Sequence, residues 1–195
     1  MAHWLEAGQR MVFYEIDPDN ERLARKWFTY LEESPGEISV RVGDARLLLA
    51  SEEDKTRYDS LFIDAFSGDS IPLHLLTVEA FETYLPRVAE GGTIIVHLSN
   101  RFYDLRGVVN RLAQHFGLHG AWRIGRSSKE AEDDPLIQSS IGMTLSRDRS
   151  VIDGLVAAGW TRAEPGAPYE AALWTDDYTN ILVPLYHGMV VGMGQ

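Results

Sequence analysis

A chain of 195 residues, 45% apolar and 24% charged, has the make-up of one globular domain built round a single core. Its 18 basic and 29 acidic residues leave a net charge of −11, which argues against a nucleic-acid partner; it suits a cationic one, though an acidic surface also simply keeps a protein in solution. The absence of cysteine excludes disulfides and thiolate metal sites, and neither a signal-peptide pattern at Met1-Ala2-His3-Trp4 nor an apolar run of roughly 18 residues is seen, so a cytoplasmic protein with no membrane partner is expected.

Residues 11–16 form a short apolar run rich in strand formers, stopped at Asp17-Pro18. Asp17 can cap a helix that starts on Pro18, where the missing N–H costs nothing. Leu23, Trp27 and Leu31, with Ala24 and Phe28 beside them, give that helix one apolar face, and Trp27 and Phe28 are expected in the core. Residues 38–42 predict the next strand, closed by Gly43-Asp44. The unit then recurs. A strand over 58–63 ends at Asp64, and Thr77 caps a helix whose Val78, Phe81, Leu85 and Val88 face inward until Gly91-Gly92. A strand over 93–98 leads to a helix capped by Asp104, with Leu105, Val108, Leu112 and Phe116 inward and Gly117 as its stop.

Beyond that, residues 121–125 and 141–146 predict strands joined by an acidic loop containing Glu130, Glu132, Asp133 and Asp134. One more helix carries Val151, Ile152, Leu155 and Val156, and residues 171–185 are expected to be partly extended. Alternating strands and helices of this length predict one α/β domain over 1–195, Rossmann-like, with a mostly parallel sheet and helices on both faces.

In such sheets ligands bind beyond the carboxyl ends of the strands. Glu15 and Asp17 end the first strand here, Asp44 the second, Asp64 the third with Asp69 in its loop, and His97, Ser99 and Asn100 the fourth. A strand-end carboxylate can accept both hydroxyls of a ribose, and a later one can accept from an adenine amino group. Any one of these aspartates could merely cap the following helix; together they point to a nucleoside site. The six histidines are scattered without ligand spacing, and no metal is expected.

Three segments carry a more specific resemblance. Phe13-Tyr14-Glu15-Ile16-Asp17-Pro18, Gly43-Asp44-Ala45-Arg46 and Tyr58-Asp59-Ser60-Leu61-Phe62-Ile63-Asp64-Ala65-Phe66-Ser67 stand in the order and spacing of the spermidine synthase family of aminopropyltransferases. His97-Leu98-Ser99-Asn100-Arg101 and Trp174-Thr175-Asp176-Asp177-Tyr178-Thr179-Asn180 resemble its bacterial branch, and the likeness runs over about residues 9–185. The first two motifs are shared with class I methyltransferases generally.

The resemblance implies an aminopropyl transfer from decarboxylated S-adenosylmethionine to a di- or polyamine, by a homodimer. Glu15 would hold the ribose, Asp44 and Ala45 the adenine, and Asp64 would orient and deprotonate the amine; Asp69, His97, Asn100 and Tyr178 are the candidate substrate contacts. Trp174 and Tyr178 could pack over the substrate or finish the sheet. S-adenosylmethionine-dependent methyl transfer and a non-catalytic member or partner subunit are the alternatives.

The sequence also departs from the family. Its N-terminal β-rich segment is not represented, and no Gly-x-Gly loop precedes Met11. The chain ends, however, on Met189-Val190-Val191-Gly192-Met193-Gly194. This suggests a circular permutation in which residues 187–195 supply the first strand and glycine loop, with Gly192 and Gly194 at the cofactor and residues 189–191 lying parallel between the strands at 12–14 and 61–63. The plain alternative is a tail with accidental glycines.

Overall fold

In a computed structural model, the structure describes residues 2–52, 56–64, 73–100, 102–125 and 140–192. They gather into two compact units, Met1–Lys55 and Thr56–Gln195.

In the first unit β1 (Arg10–Glu15) and β2 (Glu37–Val42) pair in parallel, from Arg10 opposite Glu37 to Glu15 opposite Val42. Between them runs α1 (Pro18–Trp27), and after β2 comes the seven-residue α2 (Ala45–Ser51), which the sequence pattern did not predict. Asp17 caps α1 as its position suggested, accepting the Asp19 amide at 2.9 Å, with Pro18 at the first helical position. The expected apolar face of α1 is corrected. Phe28 turns extended directly after Trp27, so Leu31 never joins the helix, and Trp27 and Phe28 stay 69% and 59% exposed. A three-step repeat read across a helix end does not build a buried stripe.

The second unit holds a five-stranded sheet in the order β3-β4-β6-β5-β7. These strands are β3 (Tyr58–Ile63), β4 (Val88–His97), β5 (His119–Gly125), β6 (Ser140–Ser146) and β7 (Thr161–Arg162). β3 and β4 pair in parallel, as a helical crossover requires. β6 is inserted between β4 and β5 and runs antiparallel to both, and β7 closes on β5.

The crossover helix α3 (Val78–Tyr84) is capped by Thr77, whose hydroxyl accepts the Ala80 amide at 3.3 Å. It ends earlier than Gly91-Gly92. Pro86 cannot donate to a helical ladder, so residues Leu85–Arg87 form a 3₁₀ turn and Val88 already pairs with Tyr58. Helices α4 (Arg106–His115) and α5 (Arg149–Ala157) follow β4 and β6. Val96, Met143, Leu145 and Ala121 of the sheet and Phe81, Leu105, Val108 and Leu112 are all at most 1% exposed. Burying each larger apolar side chain of this kind contributes about 1.5–3 kcal/mol before chain entropy is counted.

Two further features fix this unit. Asp104 and Arg106 form a buried bidentate ion pair at 2.7 and 2.9 Å, with the guanidinium stacked 4.4 Å over the Trp122 ring. Trp174, 1% exposed, belongs to the core; its carbonyl accepts the Val78 amide at 3.0 Å while Asp176 takes the Thr77 hydroxyl at 2.8 Å. The late Trp-Thr-Asp segment is thus strapped to the start of α3.

The strand expected at residues 189–191 is corrected by α6 (Leu182–Gly192). Residues 189–191 are helical, so they are no strand, and Gly192 is the last residue of the helix. The cause is upstream. The Asn180 side chain accepts the Leu182 amide at 3.2 Å, Leu185 N–H bonds to the Ile181 carbonyl at 3.1 Å, and Pro184 sits in the first turn, where its missing N–H is harmless. These start signals outweigh the strand preference of Val190-Val191. Gly188 also lets this helix lie against the backbone: an added Cβ there would come within 2.1 Å of the Phe102 carbonyl oxygen.

Candidate functional site

Glu15 is the last residue of β1 and lies opposite Val42, the last of β2. One residue on, Gly43 adopts φ +146°, and its amide donates to the Glu15 carbonyl at 2.8 Å. Such a backbone conformation suits glycine alone, so the close of β2 beside Glu15 requires it. Glu15 Oε1 accepts the Asp17 amide at 3.0 Å; Oε2 makes no hydrogen bond with the described residues. Asp44 follows Gly43 and caps α2 by accepting the Leu47 amide at 3.0 Å, with Ala45 as the first helical residue. The two acidic residues therefore leave the same end of a parallel pair, where an open α/β sheet binds its ligands. Deeper in this unit, Glu52 is held by Arg41 and, at 2.5 Å, by the Tyr14 hydroxyl, three groups whose mutual contact the sequence spacing did not disclose.

In the second unit Asp64 follows β3 and His97 ends β4, and the parallel pairing of those strands brings the two side chains together. Asp64 Oδ1 lies 2.6 Å from His97 Nδ1. The other ring nitrogen, Nε2, is 2.6 Å from the Ser99 hydroxyl, which also accepts the Ile141 amide of β6 at 2.7 Å. Asp64 is about half exposed (52%), and its Oδ2 makes no hydrogen bond with the described residues. A carboxylate anchored through one oxygen and open at the other can receive a cationic N–H donor.

The remaining candidates fare differently. Asn100 Oδ1 accepts the Phe102 and Tyr103 amides at 2.9 and 3.1 Å, a turn-closing bond of the kind short amide side chains favour. Tyr178 is 53% exposed on a two-bond turn with Thr175. Asp69, Gly194 and the acidic Glu130–Asp134 cluster lie outside the described residues. Ser99 was visible as a strand-end polar residue, two positions from His97 and so on the same side of the chain; its part in holding His97 depends on β6, which sequence order does not place next to β4. No group of acidic, histidine or cysteine residues among those described could hold a metal ion, and no described helix is long and apolar enough to cross a membrane.

Comparison with known proteins bears on the fold. No family model matches the chain. It is 31% identical over 96 residues to a probable polyamine aminopropyl transferase of Bifidobacterium longum, covering 49% of this chain and 20% of that protein. It is also 31% identical over 97 residues to the polyamine aminopropyltransferase of Vibrio vulnificus, covering 48% of this chain and 32% of that one. The chain thus spans a third or less of the length of these relatives. Among solved structures, a probable spermidine synthase from Corynebacterium glutamicum is similar with a TM-score of 0.52 at 22% identity, over 87% of this chain and 65% of that one. The O-methyltransferase from Bacillus cereus, solved with SAH, gives 0.50 at 19% identity over 74% and 65%. The fold is accordingly the α/β, class I methyltransferase-like Rossmann fold, and across just under half of its length the chain is similar in sequence to these two polyamine aminopropyltransferases.

Proposed function

We propose that this chain is the catalytic portion of an aminopropyltransferase, moving an aminopropyl group from decarboxylated S-adenosylmethionine to a di- or polyamine. The observation that carries the reading is Asp64, a strand-end carboxylate with one oxygen engaged by His97 and the other, among the described residues, without a hydrogen bond and able to meet an incoming donor. Glu15 supports the nucleoside half: its Oε2 has no hydrogen bond among the described residues and lies beside a glycine-closed strand end, where the ribose hydroxyls could donate to the carboxylate. Asp44 and Ala45 stand at the adjoining strand end for the adenine.

The chemistry calls for such a carboxylate. A polyamine nitrogen has a pKa of about 10, like that of lysine, so near neutral pH it arrives protonated and without a usable lone pair. Asp64 attracts the ammonium and takes one proton from it. The freed nitrogen then forms a bond to the carbon beside the sulfonium, the C–S bond breaks with its electron pair going to sulfur, and methylthioadenosine departs neutral. The sulfonium supplies its own leaving-group activation. What the residues add is alignment and the removal of the proton. The net charge of −11 favours the approach of polycations.

Titration calorimetry with decarboxylated S-adenosylmethionine, S-adenosylmethionine and methylthioadenosine tests the reading, followed by turnover with putrescine and spermidine. Binding of the decarboxylated form and of methylthioadenosine is expected, with an aminopropylated product. Preference for S-adenosylmethionine would move the reading to methyl transfer, and binding of none would overturn it.

A further inference from the structure

We infer that His97 is a positioning residue for Asp64, its ring held from the far side by Ser99 and through it by the backbone of β6. This rests on the reading of Asp64 as the carboxylate that meets the amine, and it replaces the expectation that His97 contacts the substrate itself.

The argument is a count of donors and acceptors. The Ser99 hydroxyl has one proton and two lone pairs. The Ile141 amide, a pure donor, fills one lone pair at 2.7 Å. Its other neighbour is His97 Nε2 at 2.6 Å, to which it can give its proton or offer its second lone pair. The Asp64 carboxylate decides between the two: it only accepts, so His97 carries a proton on Nδ1, facing Oδ1 at 2.6 Å, and in the neutral ring Nε2 then takes the Ser99 proton. The chain of bonds runs in one direction: Ile141 N–H to Ser99, Ser99 O–H to His97, His97 Nδ1–H to Asp64. Its origin is rigid. Ile141 is opposite Ile124 in the β5–β6 pairing, and its carbonyl accepts the Leu98 amide at 2.7 Å, so the residue before Ser99 is held by the same strand.

The consequence falls on Asp64. Its side chain is about half exposed and has no other bond among the described residues, so without His97 it would sample several rotamers. With Oδ1 held, Oδ2 is aimed before substrate arrives, and the ordering cost of placing the base is met in folding. Polar partners that orient a reacting group in this way act on the rate of the step more than on substrate affinity.

Three variants and one spectrum test this. His97→Ala is expected to lower kcat by about 10- to 100-fold at saturating amine, with the amine KM and the methylthioadenosine Kd each changing by less than about threefold. His97→Asn, which returns an N–H donor near the Nδ1 position, is expected to recover most of that loss, and Ser99→Ala to show about a fivefold loss with the fold intact. A purely structural role would give no rescue by asparagine. Independently of turnover, long-range ¹H–¹⁵N correlation spectra of the parent should show a proton on Nδ1 of His97, which exchanges with water faster in Ser99→Ala. A predominant Nε2–H tautomer, or unchanged kcat in His97→Ala, overturns the assignment. A parent that binds methylthioadenosine but transfers nothing to any amine overturns the proposed function instead, and the positioning role with it.

Discussion

The Gly43 amide donates to the Glu15 carbonyl at 2.8 Å, so strands β1 and β2 are tied together at the point where their acidic residues begin. Gly43→Ala should break this arrangement. At φ +146° an L-residue is strained, and the new Cβ would meet Leu48 Cδ1 at 3.1 Å. We expect about 1–3 kcal/mol of destabilisation, read from urea denaturation, together with weaker methylthioadenosine binding.

Glu15→Ala tests the nucleoside half directly. The loss of two charge-assisted hydrogen bonds, each worth about 1.5–3 kcal/mol, predicts more than about a tenfold rise in the methylthioadenosine Kd. An unchanged Kd in calorimetry would take Glu15 out of the site.

Asp64→Asn keeps the shape and the acceptor for His97 but gives up the base. Turnover should fall by about two orders of magnitude while methylthioadenosine binding is retained. Steady-state rates at saturating amine equal to the parent's would sink the role.

Asp104→Ala predicts a different loss, of stability. It strands the Arg106 guanidinium, whose side chain is 8% exposed, and should cost about 3–5 kcal/mol. Thermal unfolding followed by circular dichroism checks it. Exchanging both residues for apolar ones of similar volume should restore much of the loss.

Local signals in the sequence led reliably to local structure. Asp17 with Pro18 and Thr77 sit at helix starts, as read, because an N-cap bond involves only residues two or three apart. The strand-end acids Glu15, Asp44 and Asp64 are likewise where the periodicity places them. What escaped depends on longer relations. Trp27 and Phe28 look like core residues in a repeat that the helix does not live to complete. Val190-Val191 reads as strand until the start signals at Asn180 and Pro184 are weighed. The neighbours of Ser99 follow from where β6 is inserted, and no spacing in the chain announces that.

That insertion sets a timetable for synthesis. β6 enters the sheet between two strands that both precede it in the chain, so as the polypeptide emerges, Ile94 and Val96 on β4 and Ala121 on β5 wait for Ser140–Ser146 with unpaired edges. Until then the nascent chain displays apolar strand surface that a neighbouring copy could pair with. A ribosome-bound chain stopped before residue 140 should therefore recruit chaperones or aggregate, and once residue 146 has cleared the exit tunnel β6 should join β4 to β5, leaving only β7 to add at the edge.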